Sequence, residues 1–277
     1  MTAGRAHHRA PTWSSDGKFL AFSVGGLQDG AWVLTDKRGR VARTLEGPAA
    51  GAATFAPDGS LAFQRVFGAT SEIWLTPGGD APPIRLLGGD GCLYRDPVFS
   101  PDGRVLVCAV AEDPEGRSHL SLVHLDTGKR VHLPTTPQRS DGKPCFTPSG
   151  EELVFEGATA DACALYAIHL GNNEAQRLTP EGERARHAAV ISDQLFVYER
   201  AGADDRSQLV LCERGKHGDG YIQPLLAEED ALERRDPSCH VGKSGKVRLA
   251  YAAQMAASDG EPPRFDVYTA RLSGLDR

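Results

Sequence analysis

One phrase recurs along this chain, and it constrains the fold more than any other feature: PTWSSDGKFLAF from Pro11, ATFAPDGSLAF from Ala53, PVFSPDGRVLVC from Pro97 and PCFTPSGEELVF from Pro144. Fainter copies follow in AAVISDQLFVY from Ala188, shortened in its turn, and PSCHVGKSGKVRLAY from Pro237, lengthened in it. The anchors Trp13, Phe55, Phe99, Phe146, Ile191 and Cys239 stand 42, 44, 47, 45 and 48 residues apart. A period of that length means one supersecondary unit stacked repeatedly, in a propeller or an array.

Each copy reads as a β-hairpin. A short strand ends in an aromatic, Ser/Ala-Pro-Asp-Gly turns the chain, and an alternating apolar strand follows. Pro presets φ at the second turn position, Asp hydrogen-bonds nearby backbone, and Gly takes the positive φ needed to rejoin the ladder. Asp16, Asp58 and Asp102 are therefore expected to form turns rather than to bind metal or catalyse. A third strand follows each hairpin, as in AWVLTD at 31–36, EIWLT at 72–76 and LSLVHLD at 120–126. A fourth, weaker one closes most units, as in VARTLE at 41–46 and AQRLT at 175–179.

Four antiparallel strands per unit predict an all-β chain, a six-bladed β-propeller of four-stranded antiparallel blades. One domain spans 1–277, with blades at about 10–46, 52–87, 96–134, 143–179, 187–226 and 236–272. The last unit lacks a fourth strand, so Thr2 to His8 is expected to supply it. Pairing the two chain ends in one blade removes a sheet edge and fastens the ring.

The aromatic-Ser-Pro-Asp-Gly phrase before an apolar strand resembles the repeat of TolB-like propellers, which is also seen in the propeller domains of prolyl-oligopeptidase and tricorn-type proteases. The resemblance covers essentially the whole chain. It implies the fold and says little about function, since many unrelated roles sit on propellers. TolB itself is periplasmic and carries an extra amino-terminal domain, and neither feature is visible here, so its partners are not carried over.

The net charge of −6 and pI near 5.9 offer no general attraction to nucleic acid or anionic lipid. No apolar run is long enough to span a bilayer, and MTAGRAHHRAPTWSSDG lacks the apolar core of a secretory signal. A cytoplasmic monomer is expected, or a periplasmic one if a leader has been removed. Six cysteines without a CxxC pair read as reduced core thiols.

No Gly-x-Ser-x-Gly elbow accompanies the repeats, and Gly242-Lys243-Ser244-Gly245-Lys246 falls where a hairpin turn is expected rather than a phosphate loop. The nine histidines form neither HExxH nor His-x3-His. No catalytic residue, metal or cofactor is expected.

Basic residues instead recur just before the inner strands: His8-Arg9, Arg95, Lys143, Arg186-His187 and Arg235. In a propeller these loops reach one channel mouth. His8, Arg9, Arg95, Lys143, Arg186, His187 and Arg235 are therefore candidates to hold a carboxylate or phosphate through charge-assisted hydrogen bonds. The competing reading is that Arg95–Asp96 and Arg235–Asp236 belong to ion-pair networks between blades, with Asp96 and Asp236 cancelling part of the field. The sequence thus favours a non-catalytic binding or scaffolding module for a protein segment or small anionic ligand. A channel-centred metal-dependent lyase or lactone hydrolase, and a structural self-assembling component, are the alternatives.

Overall fold

The computed structural model describes residues 8–25, 30–47, 51–77, 81–113, 116–134, 140–159, 162–202, 206–214, 221–225, 233–255, 264–273 and 275. They form 23 strands and no helix. Five antiparallel meanders of four strands succeed one another: β1–β4 (His8–Trp13, Phe19–Val24, Ala31–Asp36, Val41–Glu46), β5–β8 (Ala53–Phe55, Leu61–Phe67, Thr70–Thr76, Ile84–Leu87), β9–β12 (Leu93–Phe99, Val105–Ala111, His119–His124, Arg130–His132), β13–β16 (Ser140–Phe146, Glu152–Ala158, Cys163–His169, Glu174–Arg177) and β17–β20 (Ala185–Val190, Leu195–Ala201, Ser207–Glu213, Tyr221–Pro224). A three-stranded meander, β21–β23 (Arg234–Val241, Val247–Met255, Arg264–Leu272), ends the chain. A single parallel pairing, Ser71 with Leu93, joins the second and third meanders into one sheet.

The turns form as their residues require. The backbone N–H groups of Lys18, Ser60 and Arg104 donate to Oδ1 of Asp16, Asp58 and Asp102 at 3.0, 2.8 and 3.0 Å. Gly103 takes φ of 71°, and a Cβ there would stand 3.0 Å from Cδ of Pro57, so this glycine serves both the turn and the approach of the neighbouring unit. Replacing Asp102 by alanine removes the acceptor for Arg104 N–H and Ser100 Oγ–H and should lower stability by about 1–2 kcal/mol in a thermal melt. A much larger loss would give Asp102 a role beyond the turn. The Gly242–Lys246 segment is likewise a hairpin turn, closed by Gly242 N–H to the Lys246 carbonyl at 2.9 Å.

The core is distributed between sheets. Middle strands are buried on both faces, as in β10, where Leu106 to Ala111 are all buried, while β12 is wholly exposed. The sequence leads one to expect alternation there, but two-sided burial makes such strands continuous apolar runs. Each apolar cluster joins one meander to the next in the chain; Trp32, Leu45, Leu61 and Phe63, for example, lock the first to the second. The sixth cluster joins the last to the first, through Ala250 and Val267 against Trp13, Leu20 and Phe22. His8 adds a 2.9 Å hydrogen bond from Nδ1 to Asp266 Oδ1.

His8 lies in β1 opposite Val24, so it belongs to the innermost strand of the first meander and not to an added strand of the last. The rest of the expected closing strand, residues 2–7, lies outside the described residues. All six cysteines are free thiols.

Candidate functional site

Five of the six innermost strands break register at the same place, next to Ala10, Asp96, Lys143, His187 and Asp236. Each of these non-glycine residues is left-handed, with φ of 49, 51, 48, 45 and 51°. The conformation is costly for an L-residue, and a bulge turns the N–H out of the ladder, so it needs an acceptor elsewhere.

For four of the five the acceptor is a carboxylate from the neighbouring meander. Asp96 Oδ2 accepts from Lys143 N–H at 3.4 Å, and Glu156 Oε2 from His187 N–H at 3.4 Å. Glu199 Oε1 accepts from Asp236 N–H at 2.6 Å, and Asp236 Oδ2 from Ala10 N–H at 3.2 Å. The last of these ties the end of the chain to its beginning.

The carboxylates come from two positions in a complementary pattern. In β14 and β18, Glu156 and Glu199 stand opposite Gly142 and Arg186, and the bulge residues that follow are basic, Lys143 and His187. In β10 and β22 the same position holds Ala109 and Ala252, opposite Arg95 and Arg235, and the bulge residue itself is Asp96 or Asp236. From the third unit to the sixth, one carboxylate per unit is kept, and the strand supplies it where the loop does not.

The bulges surround a cavity of about 240 Å³. Its charged lining is Asp96, Lys143, His187 and Asp236, with Trp13 and Cys239 among the residues that complete it. Lys143 Nζ pairs with Asp96 Oδ1 at 2.8 Å. His187 Nδ1 lies 2.5 Å from Glu199 Oε1 and 3.1 Å from Asp236 Oδ1.

Burial works against charge on His187, but Glu199 and Asp236 outweigh both burial and the repulsion from Lys143, raising its pKa to about 9. Burial also opposes ionisation of Asp96, yet Lys143 holds its carboxyl below the usual range. A larger groove of about 380 Å³ between the fourth and fifth meanders is occupied by internal pairs, among them Arg214 with Glu152 at 2.5 Å.

The residues singled out from sequence divide into three groups. Lys143 and His187 line the cavity. Arg9, Arg186 and Arg235 each precede a bulge residue and are exposed. Arg9 and Arg235 set their guanidinium groups 5.2 and 5.5 Å from the Phe265 ring, and Arg235 also pairs with Glu233. His8 is buried against Asp266, and Arg95 is half-buried, its Nε without a hydrogen-bond partner among the described residues. Glu156 and Glu199 were missed. Their signal is a glutamate at one repeat position inside otherwise apolar strands, LVFEG and FVYER.

No protein-family model and no curated protein matches this chain. Solved structures do. TolB from Acinetobacter baumannii superposes with a TM-score of 0.68 at 19% identity, covering 86% of this chain and 58% of that one. A protein assigned as TolB in Agrobacterium tumefaciens gives 0.64 at 17% identity, covering 79% and 80%. The β-propeller domain of the Trilobed protease from Pyrococcus furiosus gives 0.61 at 12%, covering 98% and 99%. The chain thus has an all-β fold of the β-propeller class, similar to that of TolB, and spans little more than half of the Acinetobacter protein.

Proposed function

We propose that the chain is a six-bladed ring, one blade per meander, that acts as a binding module for acidic segments of a partner protein. The blades would be β1–β4, β5–β8, β9–β12, β13–β16, β17–β20 and β21–β23, the last completed by residues ahead of His8. Packing of the last meander on the first, through Trp13 with Val267 and Ala10 with Asp236, supports closure.

One observation carries the binding reading. Charges turned toward the cavity are consumed by one another and by the bulge N–H groups, whereas Arg9 and Arg186, exposed at equivalent positions, have no carboxylate ion-pair partner among the described residues. Guanidinium groups held at a rim suit planar carboxylates, which they bind through paired hydrogen bonds. Peptidases among the structural neighbours carry their propellers in longer chains; this chain spans 45% of the puromycin-hydrolysing peptidase of Mycobacterium tuberculosis.

The test is fluorescence anisotropy at low salt with a labelled ten-residue peptide of alternating Glu and Ser, and its Lys-Ser counterpart. The acidic peptide should bind and the basic one should not, and a double Arg9→Glu, Arg186→Glu variant should bind the acidic peptide at least about tenfold more weakly. Indifference to the charge reversal, or no binding of the acidic peptide, would overturn the reading.

A further inference from the structure

We propose that His187, Glu199 and Asp236 form a binding site for one divalent transition-metal ion, with Zn²⁺ the ion best suited to the donor set. The ligand atoms, one imidazole nitrogen and two carboxylate oxygens, all lie within 4.8 Å of one another. Three protein donors of this kind leave a fourth tetrahedral position, and His187 and Asp236 line the cavity into which it would open. The donors sit on β17, β18 and β21, strands of two adjacent sheets, so the site bridges the fifth and sixth units and its geometry is set by rigid elements.

A second observation points to a cation. Both hydrogen bonds to Glu199, from His187 and from Asp236 N–H, fall on Oε1. Oε2 has none among the described residues, in a side chain only 3% exposed. Oε2 thus keeps its lone pairs available to a cation while Oε1 keeps its two donors.

The local charge agrees. Asp96, Glu156, Glu199 and Asp236 converge on the bulges, and Lys143, the cation that shares the cavity lining with His187, is engaged by Asp96 at 2.8 Å. On binding, the ion takes the place of the proton on His187 Nδ1, which leaves to solvent. The site does not depend on the acidic-peptide reading.

A competing zinc ligand is the cross-strand pair His119 and His132, whose ring nitrogens lie 2.7 Å apart on the surface. The test therefore uses the full-length His119→Ala protein, stripped with chelator, mixed with zinc chloride and desalted before elemental analysis. About one zinc per chain should be retained, and Glu199→Gln and Asp236→Asn should each weaken retention at least about tenfold. Both substitutions keep an oxygen for the N–H groups that Glu199 and Asp236 accept, so the fold is preserved. X-ray absorption at the zinc edge of the parent should show one imidazole and two carboxylate donors, and it decides the matter should either variant fail to fold. No retained zinc, retention indifferent to both substitutions, or a shell without imidazole would overturn the site.

Discussion

Replacing Glu199 by alanine should destabilise the metal-free protein by about 3–5 kcal/mol, the scale for breaking a buried ion pair from one side. The carboxylate is almost fully buried and serves two groups at once, His187 Nδ1 at 2.5 Å and Asp236 N–H at 2.6 Å. Removing it strands a charged imidazole and an N–H that the left-handed bulge has already turned out of its ladder. Glu199→Gln should cost clearly less, because its amide oxygen still accepts from Asp236 N–H. Thermal denaturation in chelator measures both. A midpoint for the alanine variant within a degree or two of the parent would show that the bulge carboxylates do not hold the sheets together.

Between pH 6.5 and 9 the metal-free protein should lose stability steadily, by about 3 kcal/mol in all. The pKa of His187 rises to about 9 on folding, against an ordinary 6.5. The folded state therefore holds this proton more tightly than the unfolded chain does. Its contribution is complete below pH 6.5 and disappears as pH passes through 9. The groups that set this are Glu199 and Asp236, which favour the proton, and burial and Lys143, which oppose it.

The change in Asp96 acts elsewhere. Its pKa is lowered, so its contribution is lost only as pH falls through the acid range. His187→Gln should flatten the profile from pH 6.5 to 9 and leave the acid limb intact. A parent whose melting midpoint is level across that window would contradict the charge assigned to His187.

The repeats made most of the fold legible. The Pro-Asp-Gly turns, the strand alternation and the period of 42 to 48 residues are local features, and local physics is enough to read them. Where a middle strand is buried on both faces, as β10 is from Leu106 to Ala111, the expected alternation gives way to a continuous apolar run.

The candidate site was less legible, for a specific reason. Arg95, Arg186 and Arg235 draw attention in sequence as charges before inner strands. Yet the residue after each, Asp96, His187 or Asp236, is the one that turns toward the cavity. A bulge shifts register by one residue and so exchanges which side chain faces inward. Lys143 and Arg186-His187 stand at the same place in the repeat, yet nothing in either local sequence shows that a bulge turns Lys143 and His187, and not Arg186, toward the cavity.

The amino-acid sequence by itself determined the units: their number of strands, their turns and their apolar faces, because each of these is settled by neighbours a few residues away. Only the tertiary structure decided what the charges do. Glu156 meets His187 N–H across 31 residues, and Asp236 meets Ala10 N–H across 226. Whether a carboxylate is solvated, paired or poised for a cation depends on groups that converge only when one sheet packs on the next.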